Sequence, residues 1–204
     1  MIIRKKFNFF GQHIVRNCSS ERCKKSIHSH EYEVELFFTS KGLDKAAMVM
    51  DFGLMKGTIK EFIKSFDNSF SIWRDEDKDF IDTITKKYDR VVIMPVSPSA
   101  ESYSLMFFYV VDKILKATEF NNGEKDVALQ SVRVHETRTG YAESFREDLE
   151  YWDFKLKDIK FSNAIVESWS DSEFYNKLKK FNPSMNSEKP FVNPIPEIQV
   201  EPKG

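Results

Sequence analysis

Three of the four histidines in this chain are spaced in a way that suits a metal site. His28 and His30 are separated by one residue, so on a β-strand both imidazoles point to the same face. His13 follows the first predicted strand, which can pair with the strand of His28 and bring a third imidazole close. Three protein ligands with an open fourth position are typical of catalytic zinc. An H-x-H pair alone is weak evidence, and the alternative is ordinary core or surface histidines.

Cys23 is a candidate acid–base group because it lies five residues before His28. Near a bound substrate, and beside Lys24 and Lys25, its thiol would ionise more easily than a free thiol. The alternative is a loop cysteine without function, and Cys18 is an equally good bystander. Two cysteines do not make a disulfide framework, and they favour a reduced, cytoplasmic setting.

Two glutamates could contact a ligand. Glu136 continues the apolar face of its predicted strand, where a buried carboxylate needs hydrogen-bond donors. A ligand with an amino group beside a ring N–H would supply two parallel hydrogen bonds. The alternative is that Glu136 ends its strand and reaches solvent. Glu101 begins a predicted helix, where the helix dipole alone favours an acid.

Hydrophobic periodicity predicts the elements that position these residues. Strands are predicted over residues 2–10, 27–39, 48–52, 91–94, 127–137 and 141–147. In the second strand His28, His30 and Tyr32 share the face that should look into the core. Helices are predicted over residues 53–66 and 75–88, and from a cap at Ser97 or Ser99 to about residue 120.

This order of elements predicts an α+β fold, with helices on one face of an antiparallel sheet. It occupies residues 1–150, and residues 151–204 form a C-terminal extension. Five of the seven prolines fall between Pro183 and Pro202. The last two dozen residues are therefore predicted to form an extended tail.

Composition excludes some partners. Lysine and arginine number 31 against 32 aspartates and glutamates, and the formal charge is −1. Without a basic stripe we expect no nucleic-acid binding. Without an apolar run of about 18 residues we expect no membrane span.

The order of these residues resembles the 6-pyruvoyltetrahydropterin synthase and 6-carboxytetrahydropterin synthase family. The family pattern is a histidine after the first strand, a cysteine, H-G-H-x-Y, V-x-D-F, D-H after a helix, P-T-x-E and E-T. The corresponding segments here are His13, Cys23, HSHEY from His28, MVMDF ending at Phe52, SFDNS around Asp67, PSAE ending at Glu101, and HET ending at Thr137. Any one element is weak evidence, whereas seven in order over residues 1–148 are strong evidence.

The resemblance implies a tunnelling fold, in which an antiparallel sheet is backed by helices and the subunits assemble as rings. Such rings are commonly homohexamers with active sites between subunits. The implied substrate is 7,8-dihydroneopterin triphosphate. In the bacterial branch, which feeds queuosine and related 7-deazaguanine synthesis, the products are 6-carboxytetrahydropterin, acetaldehyde and triphosphate.

The resemblance also implies roles for single residues. The three histidines of the first paragraph would bind Zn²⁺, which would polarise the side-chain oxygens of the substrate as a Lewis acid. Cys23 would be the general base, and Asp67 would belong to a second proton-transfer group. Glu136 would anchor the pterin, with Glu101 nearby.

Three positions depart from the family pattern. Ser29 replaces a glycine on the opposite strand face, which should leave the zinc site intact, and Ser99 keeps the hydroxyl of the family's threonine. Asn68 stands where the family has a histidine after Asp67. An amide does not shuttle protons near neutral pH, and general acid–base groups contribute about 10²–10⁴-fold. His135 should point to the other strand face and is a poor substitute.

Functions of different classes therefore stay open. The first is a zinc-dependent lyase of the 6-carboxytetrahydropterin type. The second is a family member that binds zinc and a pterin without turnover. A third, 6-pyruvoyltetrahydropterin synthase, shares the same residues, but the short spacing from Cys23 to His28 favours the bacterial branch.

Overall fold

A computed structural model describes residues 1–185 and 188–195 of the chain. Four long strands are antiparallel neighbours: β1 (Ile2–His13), β2 (His28–Thr39), β6 (Ala128–Thr137) and β7 (Gly140–Phe145). Three shorter strands continue the same sheet: β3 (Ser69–Trp73), β4 (Val91–Met94) and β8 (Lys160–Phe161). The order across the sheet is β7-β6-β2-β1-β3-β4-β8.

β1 and β2 form because apolar and polar residues alternate along both strands. Phe9 of β1 is fully buried and lies opposite Tyr32 of β2, with the two rings stacked 4.8 Å apart. A Cβ atom on Gly11 would lie 2.8 Å from the Phe9 ring, so glycine permits this close packing. The same register places His13 opposite His28. The predicted pairing of the two strands is confirmed.

The predicted α+β fold is confirmed, and the antiparallel prediction holds for four of its strands. β3 pairs with both β1 and β4 in parallel, so the whole sheet is mixed. The helices α2 (Gly53–Lys56), α3 (Thr58–Lys64) and α5 (Ala100–Lys116) pack on one face. On the other face, α4 (Lys78–Lys87) covers β3 and β4 through Ile84, which packs with Phe70, Ile72 and Val91.

Several predicted boundaries need correction. Residues 48–52 form no strand, because the Asp44 carboxylate accepts the backbone N–H groups of Ala46 and Met48 and holds a turn there. The predicted helix 53–66 is divided at Gly57, whose φ of −97° and ψ of −113° are not helical. The helix capped by Ser99 ends at Lys116, and β5 (Thr118–Phe120) follows. β3 and the short α1 (Glu21–Lys25) were not predicted.

The described part of the extension packs on the same core as the rest of the chain. α6 (Asn163–Glu167) and α7 (Phe174–Lys180) place Ile165 and Phe174 in that core. β9 (Phe191–Asn193) pairs in parallel with β5. The buried Asn193 side chain accepts the Leu54 N–H and donates to the Asp51 carbonyl.

This packing corrects the predicted extended tail at Phe191–Asn193, whereas residues 182–185 are exposed. Residues 186–187 and 196–204 lie outside the described part. The boundary near residue 150 stays a prediction. Within the described residues, no helix combines the length and the apolar character needed to cross a membrane.

Candidate functional site

The three predicted histidine ligands converge at one end of the β1–β2 pair. The centroids of the His13 and His28 rings lie 4.4 Å apart, and each lies 5.2 Å from the centroid of His30. One ring nitrogen from each residue can be chosen so that all three lie within 4.8 Å of one another. His13 is fully buried and the other two are half-buried. The arrangement suits a metal ion with three protein ligands and a fourth position open.

Hydrogen bonds fix the orientation of two of these rings. His13 donates its Nδ1–H to the Pro98 carbonyl at 2.6 Å, and His28 donates its Nδ1–H to the Ser26 carbonyl at 3.0 Å. A carbonyl oxygen can only accept, so these bonds leave Nε2 of each ring with a free lone pair. Metal-binding histidines commonly have such a partner on the other ring nitrogen.

The electrostatics of the site favour neutral imidazoles. The pKa of His13 is lowered to about 4, chiefly by burial and also by His28 and His30, against the opposing effect of the Pro98 carbonyl. Burial also lowers the pKa of His30, opposed by the Glu136 carboxylate and aided by His28. Because a metal binds neutral imidazole, the donor set fits a zinc ion at neutral pH.

Glu136 faces this cluster. The register between β6 and β7 shifts between His135 and Thr137, and a bulge of this kind re-aims side chains. Tyr32 donates its hydroxyl to Glu136 Oε1 at 3.4 Å, and that oxygen lies 3.6 Å from His13 Nε2. The Glu136 side chain keeps 31% of its surface exposed. One carboxylate is therefore held beside the histidines with room to accept hydrogen bonds from a ligand.

A cavity of about 540 Å³ connects these groups. Predicted residues that line it are Cys23, His28, His30, Glu101 and Glu136; residues that were not predicted include Ser19, Ser20, Thr137 and Tyr141. Cys18 lines it as well, so the described structure does not separate the two thiols. No lysine or arginine is among the described lining residues.

Asp67 is not among the described residues that line this cavity. Its carboxylate accepts the Phe10 N–H and the Lys64 ammonium, each at 2.9 Å. Asn68 is exposed and has a φ of +52°, a conformation in which asparagine, aspartate and histidine are enriched. Within one chain, Asp67 is thus separate from the cavity that Cys23 lines.

His135 points to the opposite sheet face, as expected. It lies near Glu33 and Glu35, a set that could also hold a metal ion. The Glu35 carboxylate, however, already contacts Arg4 at 2.5 Å, His135 at 3.1 Å and Arg133 at 3.4 Å. An ion-pair network explains this cluster without a metal.

Tyr32 and the Pro98 carbonyl are the neighbours of His13 that sequence reasoning missed. The tyrosine hydroxyl lies 3.1 Å from His13 Nδ1, and burial raises the pKa of this phenol. Alternation along β2 places Tyr32 on the same strand face as His28 and His30, so the sequence could have predicted that Tyr32 lies near the histidines. The Pro98 carbonyl is a backbone group, and side-chain identity carries no signal for it.

Comparisons relate the chain to known proteins. The family described as 6-pyruvoyl tetrahydropterin synthase matches residues 2–147. The chain is 45% identical over 182 residues to 6-carboxy-5,6,7,8-tetrahydropterin synthase of Helicobacter pylori, covering 87% of this chain and 91% of that relative. It is 31% identical over 121 residues to the protein of the same name from Aquifex aeolicus, covering 58% of this chain and 73% of the relative.

Two solved structures share the fold. An uncharacterized protein from Wolinella succinogenes has a TM-score of 0.57 at 19% identity, with 72% of this chain and 98% of that chain covered. A 6-pyruvoyl tetrahydropterin synthase from Plasmodium falciparum has a TM-score of 0.51 at 15% identity, with coverages of 71% and 96%. The family match ends at residue 147, so an alignment over 87% of the 204 residues must include part of the extension.

Proposed function

The chain belongs to the 6-pyruvoyl tetrahydropterin synthase family, and from this premise we propose that it is a zinc-dependent lyase acting on 7,8-dihydroneopterin triphosphate. The names of the 45% and 31% identical relatives support 6-carboxy-5,6,7,8-tetrahydropterin as its product. Acetaldehyde and triphosphate would be the other products, as the family resemblance implies. We also propose that the product feeds 7-deazaguanine synthesis in the cytoplasm. The resemblance to the bacterial branch and the two free thiols support this setting.

The observation that carries the proposal is the convergence of three imidazoles beside a carboxylate-lined cavity. His13, His28 and His30 would hold the zinc ion, and hydrogen bonds already orient the first two. When bound, zinc supplies a Lewis acid for the oxygens of the substrate side chain. The protein's own contribution is to keep His13 neutral and to fix the ring directions of His13 and His28.

Glu136 would anchor the pterin. A pterin presents an amino group beside a ring N–H, and a carboxylate can accept both in parallel hydrogen bonds. The Tyr32 hydroxyl donates to Oε1 at 3.4 Å, which orients the carboxylate while its other oxygen stays available to the cavity. Glu101, on the cavity wall at the start of α5, would contact the same ligand from the side.

Proton transfer is assigned to Cys23 and Asp67. Cys23 lines the cavity and would act as the general base at the substrate side chain. Asp67 lies outside the cavity of its own chain, so it would act in the cavity of a second copy. A ring of subunits, with six as the proposed number, would bring the two together.

A second function is favoured by one residue. The exposed amide of Asn68 carries no titratable proton near neutral pH, although the family has histidine at this position. A protein that binds zinc and pterin without turnover is therefore the alternative. The 6-pyruvoyl product is a further alternative, which the names of the relatives disfavour.

Incubation of the purified protein with 7,8-dihydroneopterin triphosphate tests these functions, with products identified by mass spectrometry and zinc measured in the same sample. We expect the carboxy product and zinc at about one ion per chain. Pterin binding with zinc but no product would establish the binding function instead. Protein free of zinc and unable to bind the pterin would contradict both.

A further inference from the structure

The turn that carries Asp67 is held by residues far from it in sequence. This turn, Lys64–Asn68, connects α3 to β3. Arg90, just before β4, donates from Nε to the Asp67 carbonyl at 3.0 Å and from a terminal nitrogen to the Lys64 carbonyl at 3.1 Å. One guanidinium therefore closes both ends of the turn.

Three consecutive residues of the extension contact the turn or its neighbours: Trp169 contacts the turn itself, Ser168 contacts Arg90, and Ser170 contacts Glu61 of α3. The Ser168 hydroxyl accepts from Arg90 at 3.3 Å. Trp169 donates its indole N–H to the Ser65 hydroxyl at 2.8 Å, and the Ser170 N–H donates to the Glu61 carboxylate at 2.9 Å.

These contacts lie in a rigid environment. Trp169 is 7% exposed and packs between Phe161 of β8 and Phe174 of α7, with ring centroids 5.4 and 4.4 Å away. Ser65 is 1% exposed. A hydrogen bond between two side chains this deeply buried fixes direction as well as distance, because neither can turn to water.

We propose that Arg90 and Trp169 are positioning residues that fix the Lys64–Asn68 turn and thereby the location of the Asp67 carboxylate. This inference rests on the proposed function, in which Asp67 takes part in proton transfer. It gives the extension a role in the reaction, although the family match ends at residue 147 and the extension does not line the cavity where it is described.

Trp169→Phe tests the inference because it removes the indole donor and keeps an aromatic ring. We expect kcat for the pterin substrate to fall about threefold to tenfold with KM unchanged, as for a displaced reacting group. Arg90→Lys, which keeps the charge but not the forked hydrogen bonds, should reduce kcat in the same way. Hydrogen exchange at the amides of Phe10 and Asn68, which bond to the turn and to β1, should become faster in both variants.

Tyr175→Phe is the matched control. It removes a buried hydroxyl of the same extension, which donates to the Leu156 carbonyl at 2.8 Å and not to the turn. Its kcat and the exchange of Phe10 and Asn68 should equal wild type. Equal losses of kcat in the control and in Trp169→Phe would overturn the inference, because they would show a general structural effect of changing the extension and not an effect on the turn. Unchanged kcat and exchange in Trp169→Phe and Arg90→Lys would overturn it as well.

Asp67→Asn separates this inference from the proposed function. Full kcat in Asp67→Asn would overturn the role of Asp67, and with it the premise. A reduced kcat there, combined with a normal Trp169→Phe, would overturn the positioning role alone. If both lose activity, the double variant should be no slower than Asp67→Asn, and additive losses would contradict an action through Asp67. Should Trp169→Phe not fold, Ser65→Ala removes the same hydrogen bond from the other partner.

Discussion

The two halves of the sheet are built differently. β7, β6, β2 and β1 are antiparallel and carry helices on one face only, whereas β3 and β4 are parallel and covered on both faces. In the antiparallel half, the strand faces that pack on the core also carry the residues of the candidate site. The face of Phe9 on β1 carries His13, the face of Tyr32 on β2 carries His28 and His30, and the face of Val134 on β6 carries Glu136.

This difference assigns a separate task to each half. A one-sided sheet can extend its buried face past the edge of the core, where the same alternation then presents polar groups to a cavity. β3 and β4 are covered on both faces, and residues next to them support the Lys64–Asn68 turn.

The largest effect is expected from replacing the histidines at the start of β2, which lie on the strand face that packs on the core. His28→Ala combined with His30→Ala should abolish zinc binding, because two of three ligands are lost. The fold should survive, since both residues lie beyond the buried apolar rows. Zinc content per chain, with circular dichroism for folding, measures both. The control is His135→Ala on the other face, and stoichiometric zinc in the double variant would contradict the site.

The covered half is tested through a residue of the core that it shares with β1 and β2. Phe174 of α7 is 1% exposed, and Phe174→Ala should cost about 3–5 kcal/mol of unfolding free energy. Because its core is shared with β1 and β2, we expect one cooperative unfolding transition for the whole chain. Met185→Ala, at a residue 74% exposed, should change stability by no more than about 0.5 kcal/mol. Two separate transitions would instead show that residues 1–150 fold independently.

The same difference explains what the sequence could predict. β1, β2 and β6 show alternation because one of their faces is exposed to water, and the residues assigned to faces in β2 and β6 lie on those faces. In β3, Phe70 and Ile72 alternate with Ser69 and Ser71, but the strand has only five residues, and this short alternation was missed. The break at Gly57 depends on backbone angles that periodicity does not report.

In the candidate site and the extension as well, some features could be predicted from the sequence and others could not. The histidines, Cys23, Glu101 and Glu136 were identified by residue type. The structure brings all of them except His13 to one cavity, and the buried His13 contacts the other two histidines. The packing of the extension was predicted poorly, because its prolines indicate an extended chain while β5 and the Asn193 contacts hold part of it. Long-range partners of this kind have no local pattern.

An intermediate effect is expected from replacing Glu136, near the end of β6. Glu136→Gln keeps the shape of the side chain but removes its charge and one acceptor, so pterin affinity should fall by about 1–3 kcal/mol. Zinc should stay bound, which calorimetry and metal analysis can show together. Glu143→Gln is the control, because Glu143 bonds to Ser131 and Arg133 on the β6–β7 pair. Unchanged affinity in Glu136→Gln would mean that the pterin is held elsewhere.

The smallest effect concerns the turn that the covered half supports. Asn68 has a φ of +52°, and its N–H donates to the Phe10 carbonyl at 2.6 Å. Histidine also tolerates this conformation, so Asn68→His should preserve the turn while adding a group that titrates near neutral pH. Asp67, on the same turn, would orient the new ring and stabilise its protonated form.

We therefore expect Asn68→His to raise kcat for dihydroneopterin triphosphate by at least about tenfold, less than the 10²–10⁴-fold of an acid–base group in its own site, because the surroundings of residue 68 are adapted to asparagine. Zinc content and pterin affinity should hardly change, because neither depends on that proton. Asn8→His, on an exposed position of β1, should bring no gain. A wild-type protein that is already fast, and that gains nothing from the histidine, would show that another group transfers the proton. Cys18 and Cys23, both on the cavity wall, would then be the thiols to compare by single replacement with serine.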